Sequence, residues 1–239
     1  MATTRKNLVL LAKTAEEAER YKDAAKIMKA IVHTGKELDD EEQTLLYDIY
    51  RHLAHNLKVS LKNLSPLVQE ETDKHNSKHL HLVQKQISQI KKELINTCCD
   101  IIEILEEDLI PTTTSNKNKV IYYKMKGDYY NYLINLYSGP QHDEIVQEAL
   151  EAYVFAFNIA NKNLSPTDPT RLGVAINFSV FYHEVIKSTK KSCEIAQQAF
   201  NSAFEALDTL TEDNNQKTIA SMEILRDNIS IFSSEKSKD

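Results

Sequence analysis

Helix breakers are scarce in this sequence. It contains 4 glycines and 5 prolines in 239 residues, too few for a sheet protein, which places such residues at each of its many chain reversals. Leu, Glu, Lys, Ala and Gln fill the intervening stretches, and these residues lose little side-chain freedom in a helix. Apolar residues recur at helical spacing in nearly every window. The chain therefore reads as all-α.

The few breakers fall between periodic segments, at Gly35, Pro111, SGPQ (138–141) and SPTDP (165–169), and they divide the chain into nine helices. The first two are expected over 4–19 and 21–34. DDEEQ at 39–43 supplies acidic N-terminal capping for a long third helix that runs to 70. The polar stretch TDKHNSK (72–78) separates it from a fourth, expected to end before Pro111, which cannot continue the hydrogen-bond ladder. Five more are expected over 116–137, 141–163, 168–187, 189–208 and 215–233. Their short connections favour antiparallel neighbours. No fixed-period repeat registers, which argues against a tetratricopeptide array. A single core can still grow at this length, so residues 1–234 read as one helical domain and 235–239, in the polar SSEKSKD, as a mobile tail.

Composition excludes several classes of function. A formal charge of −6 opposes broad nucleic-acid binding, because counterion release needs a dense basic surface. No apolar run approaches the roughly 20 residues that span a bilayer, and the N-terminal MATTRKNLVLLAKTAEEAERY lacks a signal-peptide pattern. No membrane association and a cytoplasmic location are expected. The cysteines, Cys98, Cys99 and Cys193, have no CxxC spacing and read as buried, reduced thiols. Among the histidines only His75 and His79 have the i, i+4 spacing of helical ligands, and no Glu-x-x-His completes a metal site. His183, in VFYHEV, reads as a packing residue. No nucleophile, base and orienting acid can be assembled. Neither cofactor, metal nor catalysis is expected.

The segment KVIYYKMKGDYYNYL, 119–133, is the most informative. At helical spacing Lys124, Asp128, Asn131 and Tyr132 share one polar face, while Tyr122, Tyr129 and Tyr130 turn elsewhere and pack with their hydroxyls at the core edge. In the third helix Arg51 and Lys58 are seven residues apart and therefore aligned.

Here the sequence resembles the 14-3-3 family. YYKMKGDYYNYL resembles the family's tyrosine-rich groove helix, SPTDPTRLGVAINFSVFYHEV (165–185) its longest signature, ALDTLTEDNNQKTIASMEILRDNISIF (206–232) its last helix and AEEAERYKDAAKIMKAI (15–31) its opening helices. The likeness spans nearly the whole chain. It implies nine antiparallel helices forming an amphipathic peptide-binding groove, a dimer, phosphoserine or phosphothreonine clients, and no enzymatic activity. The phosphate pocket it implies comprises Arg51, Lys58, Lys124, Asn131 and Tyr132. The implied peptide contacts are Asn177 and Asn228 to backbone, Ile176, Val180, Ile224 and Ile231 as the apolar wall, and Glu184 on the face of Asn177. The implied dimer seam is Ala18, Arg20, Asp23, Leu64, Leu67, Gln86, Gln89 and Glu93, with Arg20 and Glu93 resembling a cross-subunit ion pair.

The sequence also departs from the family pattern. Asn131 and Lys58 stand where the family has arginines, and Arg51 where it usually has lysine. Arginine grips phosphate with two parallel donors, lysine brings a hydrated point charge, and asparagine brings none. One lost fork weakens phosphopeptide affinity by roughly 10- to 150-fold, so phosphate recognition is expected to be weakened or re-aimed. At the seam Thr14 replaces a leucine, Gln86 a tyrosine and Gln89 a lysine opposite Asp23, so a weaker homo- or hetero-dimer is expected. Pro66 is expected to kink the third helix at 62–66. Leu61 and Phe232 replace the family's tryptophans, and Ser60 resembles a position where phosphorylation disturbs the seam. The alternative function is a phosphorylation-independent scaffold, or hetero-dimer partner, using the same groove.

Overall fold

The structure, a computed structural model, describes residues 4–207 and 215–236. Among these there is no strand, and nine helices carry the fold: α1 (Arg5–Glu17), α2 (Tyr21–Val32), α3 (Asp40–Asp73), α4 (Ser77–Glu103), α5 (Asn116–Ile134), α6 (Pro140–Asn163), α7 (Pro169–Glu184), α8 (Thr189–Glu205) and α9 (Asn215–Lys236). The all-α architecture expected from sequence is what forms.

Local chemistry starts these helices. The Asp39 carboxylate accepts from the Glu42 amide at 2.9 Å while Glu42 Oε2 accepts from the Asp39 amide at 3.1 Å, a reciprocal cap on α3. Asp168 caps α7 through the Thr170 amide at 2.7 Å, and Pro140 and Pro169 open α6 and α7 where a missing N–H has no intrahelical partner to lose. Gly139, just before Pro140, has φ of 65°, a left-handed backbone that glycine adopts without a Cβ clash.

Four expectations need correction. Helical structure does not stop before Pro111: after Glu103 the chain makes a π-turn over Ile104–Leu109 and a last turn over Ile110–Thr112. The wider turn shifts the carbonyls out of i−4 register before the proline ring, and Pro111 falls in the first turn of the closing piece, where its lack of N–H is tolerated. His75 is not helical. It sits in the α3–α4 turn with φ of 53°, so it and His79 do not present an i, i+4 pair. α9 continues to Lys236, into the segment read as tail, and residues 237–239 lie outside the described residues. Of the cysteines, Cys98 is buried but Cys99 is exposed and Cys193 half-buried; burial pushes the Cys98 thiol up to about 12. At Pro66, α3 stays helical on both sides.

Helix contacts divide the chain into two compact units, Met1–Thr112 and Thr113–Asp239. In the first, α1 packs on α2, α2 on α3, and α3 along α4. Arg5 ties α1 to α3 with a two-pronged grip on Glu42, Nε to Oε1 at 2.8 Å and Nη2 to Oε2 at 2.6 Å. Lys29 of α2 reaches Asp100 of α4 at 2.7 Å and Glu103 at 3.1 Å, and the buried Tyr50 of α3 donates its hydroxyl to the same Asp100. Beyond this region no residue from 55 to 89 is buried. The outer part of the α3–α4 hairpin leaves Val59, Leu67 and Leu82 exposed.

In the second unit α5 lies along α6, and α7 touches α5, α6, α8 and α9. Its core is aromatic: Tyr153 of α6 lies 5.2 Å from Phe181 and 5.8 Å from Phe178 of α7, centroid to centroid. Thr218 Oγ1 donates to the Thr167 carbonyl at 2.7 Å, fastening the start of α9 to the α6–α7 loop.

Candidate functional site

The second unit holds a cluster centred on Asp128. On α5, Lys124 and Asp128 are four residues apart and therefore neighbours on one face. Lys124 Nζ donates to Asp128 Oδ2 at 2.8 Å, with side chains only 16% and 13% exposed. Asp128 Oδ1 accepts from the Tyr153 hydroxyl of α6 at 2.7 Å and from Asn177 Nδ2 of α7 at 2.7 Å. Three helices thus meet at one carboxylate. Lys126, two residues on from Lys124, faces α6 instead and pairs with Glu148 at 3.2 Å.

Asn131 and Tyr132 follow on α5, both half-buried like Lys124 and Asp128, and Tyr132 packs edge-on against Tyr129 at 5.6 Å. Tyr122 and Tyr129 are buried and Tyr130 half-buried, as expected of residues turned from the polar face.

Beside this cluster runs an apolar strip. On α7, Ile176, Val180 and Glu184 recur every four residues, with Asn177 adjoining; the first two are half-buried and Glu184 is exposed. α9 packs on α7, and its Ile224, Asn228 and Ile231 follow at i, i+4 and i+7. Ile224 and Ile231 are 48% and 52% exposed, large apolar side chains left uncovered in a row. Between them Asn228 Nδ2 is buried, and among the described residues nothing accepts from it. Phe232, 3% exposed, lies 4.5 Å from His183 and so fills space beneath the strip rather than lining it.

In the first unit Arg51 and Lys58 are both exposed on α3, in keeping with their shared face. The Arg51 guanidinium is held along its own helix: Nη2 donates to Asp48 Oδ1 at 3.1 Å and lies 3.2 Å from His52 Nε2. His52 in turn stacks on Tyr21 at 4.7 Å.

The expected seam residues lie on α2, α3, α4 and the α1–α2 turn. Ala18, Arg20, Leu67, Gln86 and Gln89 are exposed and Asp23, Leu64 and Glu93 half-buried. Within the chain Arg20 is not paired with Glu93. Arg20 Nε donates to Asp23 at 2.7 Å, while Glu93 takes Lys22 at 2.9 Å and Gln89 at 3.2 Å; the Lys22 contact, before the others, holds the Glu93 carboxyl below its ordinary range. Exposed pairs of this kind contribute about 0–1 kcal/mol, so they exchange partners at little cost. Ser60 donates to the Asn56 carbonyl at 2.9 Å, and Leu61 is half-buried. Among the described residues no group of acidic, cysteine or histidine side chains is arranged to hold a metal ion, and no helix is long and apolar enough to cross a membrane.

A family model described as 14-3-3 protein matches residues 11–233. The chain belongs to the 14-3-3 family. Protein BMH2 of Saccharomyces cerevisiae is 41% identical over 239 residues, which is 100% of this chain and 88% of that protein. Checkpoint signal transducer rad24 of Schizosaccharomyces pombe is 40% identical over 98% of this chain and 86% of its own length. 14-3-3 protein beta/alpha of Homo sapiens is 39% identical over 100% of this chain and 96% of its own length. This 14-3-3 chain is thus related, along 98–100% of its sequence, to adaptor and regulatory proteins.

Within this 14-3-3 fold, Lys124 and Asn177 are brought together and the α7 and α9 residues are aligned. In the sequence Asp128 lies on the polar face with nothing to mark its role, and Tyr153 carries no signal at all. The i, i+4 spacing of Lys124 and Asp128 was a legible signal for their pairing. Nothing in the spacing of Tyr153 or Asn177 announced that they would close on the same carboxylate.

Proposed function

We propose that this protein is an adaptor that binds phosphoserine and phosphothreonine peptides of client proteins. One observation carries this conclusion: Lys124 and Asn177 bind the same carboxylate, Asp128. A cation suited to phosphate oxygens and an amide suited to peptide backbone therefore lie in one cluster beside an apolar strip. A phosphoserine carries about −1.5 to −2 charges and three acceptor oxygens, so it favours several cationic donors. Arg51, Lys58, Lys124 and the Tyr132 hydroxyl are assigned that task. Ile176, Val180, Ile224 and Ile231 are assigned the peptide's apolar side chains, with Glu184 at the polar end of the strip. The buried Asn228 nitrogen supports a backbone-binding role, because an unmatched buried donor costs about 1–3 kcal/mol and a peptide carbonyl would offset that on rotation of the amide.

Phosphate recognition is weakened or re-aimed in this proposal. Asn131 contributes no charge, Lys58 offers no fork, and two of the cations are already matched, Lys124 by Asp128 and Arg51 by Asp48. A homo- or hetero-dimer through the α3–α4 hairpin and α1 belongs to the same proposal, supported by the exposed Leu67 and Leu82. So does a cytoplasmic location, supported by the family relationship. No reaction, cofactor or nucleic-acid partner is proposed.

The test is a fluorescence-anisotropy titration of the full chain with a labelled phosphopeptide and its serine twin. Tighter binding of the phosphopeptide supports the phosphate reader. Equal affinity overturns it in favour of a phosphorylation-independent scaffold, the reading that the neutral Asn131 and the two matched cations favour.

A further inference from the structure

We propose that the solvent-facing side of the α5–α6 pair, where Tyr123 stacks on Phe155 beside Lys119 and Lys162, is a second docking surface that takes an acidic segment of a protein partner through an aromatic anchor. It lies outside the phosphopeptide site and does not depend on phosphate binding.

The two helices run antiparallel, and the seam between them is fastened at both ends. Asn116 Nδ2 donates to Asn163 Oδ1 at 3.0 Å. At the other end Lys126 pairs with Glu148 at 3.2 Å and lies over the Tyr130 ring, 5.5 Å from its centroid. Between these fastenings Tyr123 and Phe155 stack with centroids 5.2 Å apart and planes 17° from parallel. Phe155 is 52% exposed, and Val154 on the adjoining flank of α6 is 37% exposed. Single exposed apolar residues are ordinary on a protein surface. A stacked pair is different, because two rings held together offer one rigid plate of the kind that anchors protein interfaces. Tyr123 directly precedes Lys124, so it points about 100° round α5 from the phosphate-binding face. A peptide seated on the Lys124 face leaves this plate uncovered.

Charge decides which kind of segment fits. Lys119 lies one turn before Tyr123, and Phe155, Ile159 and Lys162 follow at i, i+4 and i+7 on α6, so both lysines border the plate on the same side. Neither has an ion-pair partner among the described residues, although the chain carries a formal charge of −6 and Lys119 is half-buried. Glu151, exposed and one turn before Phe155, borders the opposite side. A uniformly anionic surface such as a membrane would meet that carboxylate as well as the lysines, and lipid headgroups are held by larger basic clusters than this. A peptide segment can set its acid on the lysines and stop short of Glu151. Lys119 is about 6 Å along the axis from Tyr123 and Lys162 about 10 Å from Phe155. At about 3.3 Å per extended residue, the acidic side chains fall about two or three positions from the aromatic anchor.

The experiment exploits the absence of tryptophan from this protein. A short peptide with one tryptophan, two aspartates on one side of it and no serine, threonine or tyrosine reports binding to the full chain through the anisotropy of its own emission. Saturable binding is expected, weakened about 10-fold or more by asparagines in place of the aspartates, by Phe155→Ser, and by Lys119→Glu with Lys162→Glu. The charge-reversed variant should instead take a peptide with lysines in place of the aspartates, a gain that a misfolded protein would not show.

A phosphopeptide titrated into the same sample should leave the probe bound, which separates this surface from the phosphopeptide site. Absence of saturable binding, displacement by the phosphopeptide, or undiminished affinity in both variants overturns the proposal. So does binding to anionic vesicles that Phe155→Ser abolishes, which would make a membrane the occupant. Loss of self-association in Phe155→Ser, read by sedimentation equilibrium, would make it a second copy of this chain and overturns the proposal equally.

Discussion

Gly127 and Tyr153 are in such close contact that a Cβ at 127 would lie 2.9 Å from Tyr153 Cε1 and 3.0 Å from Cδ1 and Cζ. The ring cannot retreat, because Phe178 and Phe181 pack against it. Alanine at 127 would gain about 1 kcal/mol in helix propensity, but overpacking a rigid core costs about 1–3 kcal/mol. Gly127→Ala is expected to destabilise the fold by about 1 kcal/mol and to displace the Tyr153 hydroxyl from Asp128. Thermal unfolding checks the first effect, and the exchange rate of the Asn177 side-chain amide the second.

Asn131 lies seven residues after Lys124, on the same face of α5. Asn131→Arg would add a planar, permanently charged fork beside a lysine that is already matched by Asp128. Phosphopeptide affinity is expected to rise by about 10-fold or more, and to fall more steeply with added salt than in the native protein. Anisotropy titrations at two salt concentrations measure both, and an unchanged affinity would count against the proposed site.

Tyr50 carries a pH dependence whose direction is fixed. Burial, and then its bond to the Asp100 carboxylate, raise the phenol well above its ordinary value. An acid whose folded pKa is raised holds its proton after the unfolded chain has released it. The resulting stability is fully present below pH about 10, the ordinary tyrosine value, and declines above it by about 1.4 kcal/mol per pH unit. Tyr50→Phe should lose this component of the alkaline slope, read as melting temperature against pH between about 8 and 11. Lys29, raised first by its bond to Asp100, contributes in the same direction in both proteins.

Thr14 is exposed, and its hydroxyl bonds back to the Leu10 carbonyl at 2.8 Å. Gln86 on α4 is exposed as well. Neither supplies the apolar anchor that dominates a protein interface. The double variant Thr14→Leu, Gln86→Tyr is expected to lower the dimer dissociation constant by about 10-fold or more, measured by sedimentation equilibrium. A native protein that is already a tight dimer at nanomolar concentration would show that the seam does not depend on these positions.

Much of this molecule was legible before any coordinates. Helix periodicity, the acidic cap at 39–43 and the scarcity of glycine and proline marked out nine helices, because each depends on contacts between residues near one another in sequence. The errors lay where neighbours change the local rule. By local rules Pro111 stops a helix, but here a π-turn over Ile104–Leu109 precedes it and shifts the carbonyls from its ring. His75 and His79 have ligand spacing on paper, but a left-handed residue at the α3–α4 turn takes His75 off the helix. The site was partly legible in the same sense. The Lys124–Asp128 pair follows from spacing on one helix, and so does the row of Ile224, Asn228 and Ile231.

What the sequence determined by itself was the set of helices, their polar and apolar faces, and the departures at Lys58 and Asn131. The helices and their faces need only periodicity, side-chain chemistry and chain order, and the two departures follow from the resemblance to the family pattern. Only the tertiary structure decided that Tyr153, 25 residues after Asp128, and Asn177, 49 residues after it, donate to the same carboxylate. The physical reason is that a carboxylate accepts from whichever donors packing delivers, and packing depended here on a glycine with no Cβ, an aromatic core and the meeting of three helices. None of these leaves a trace in the spacing of the residues it brings together.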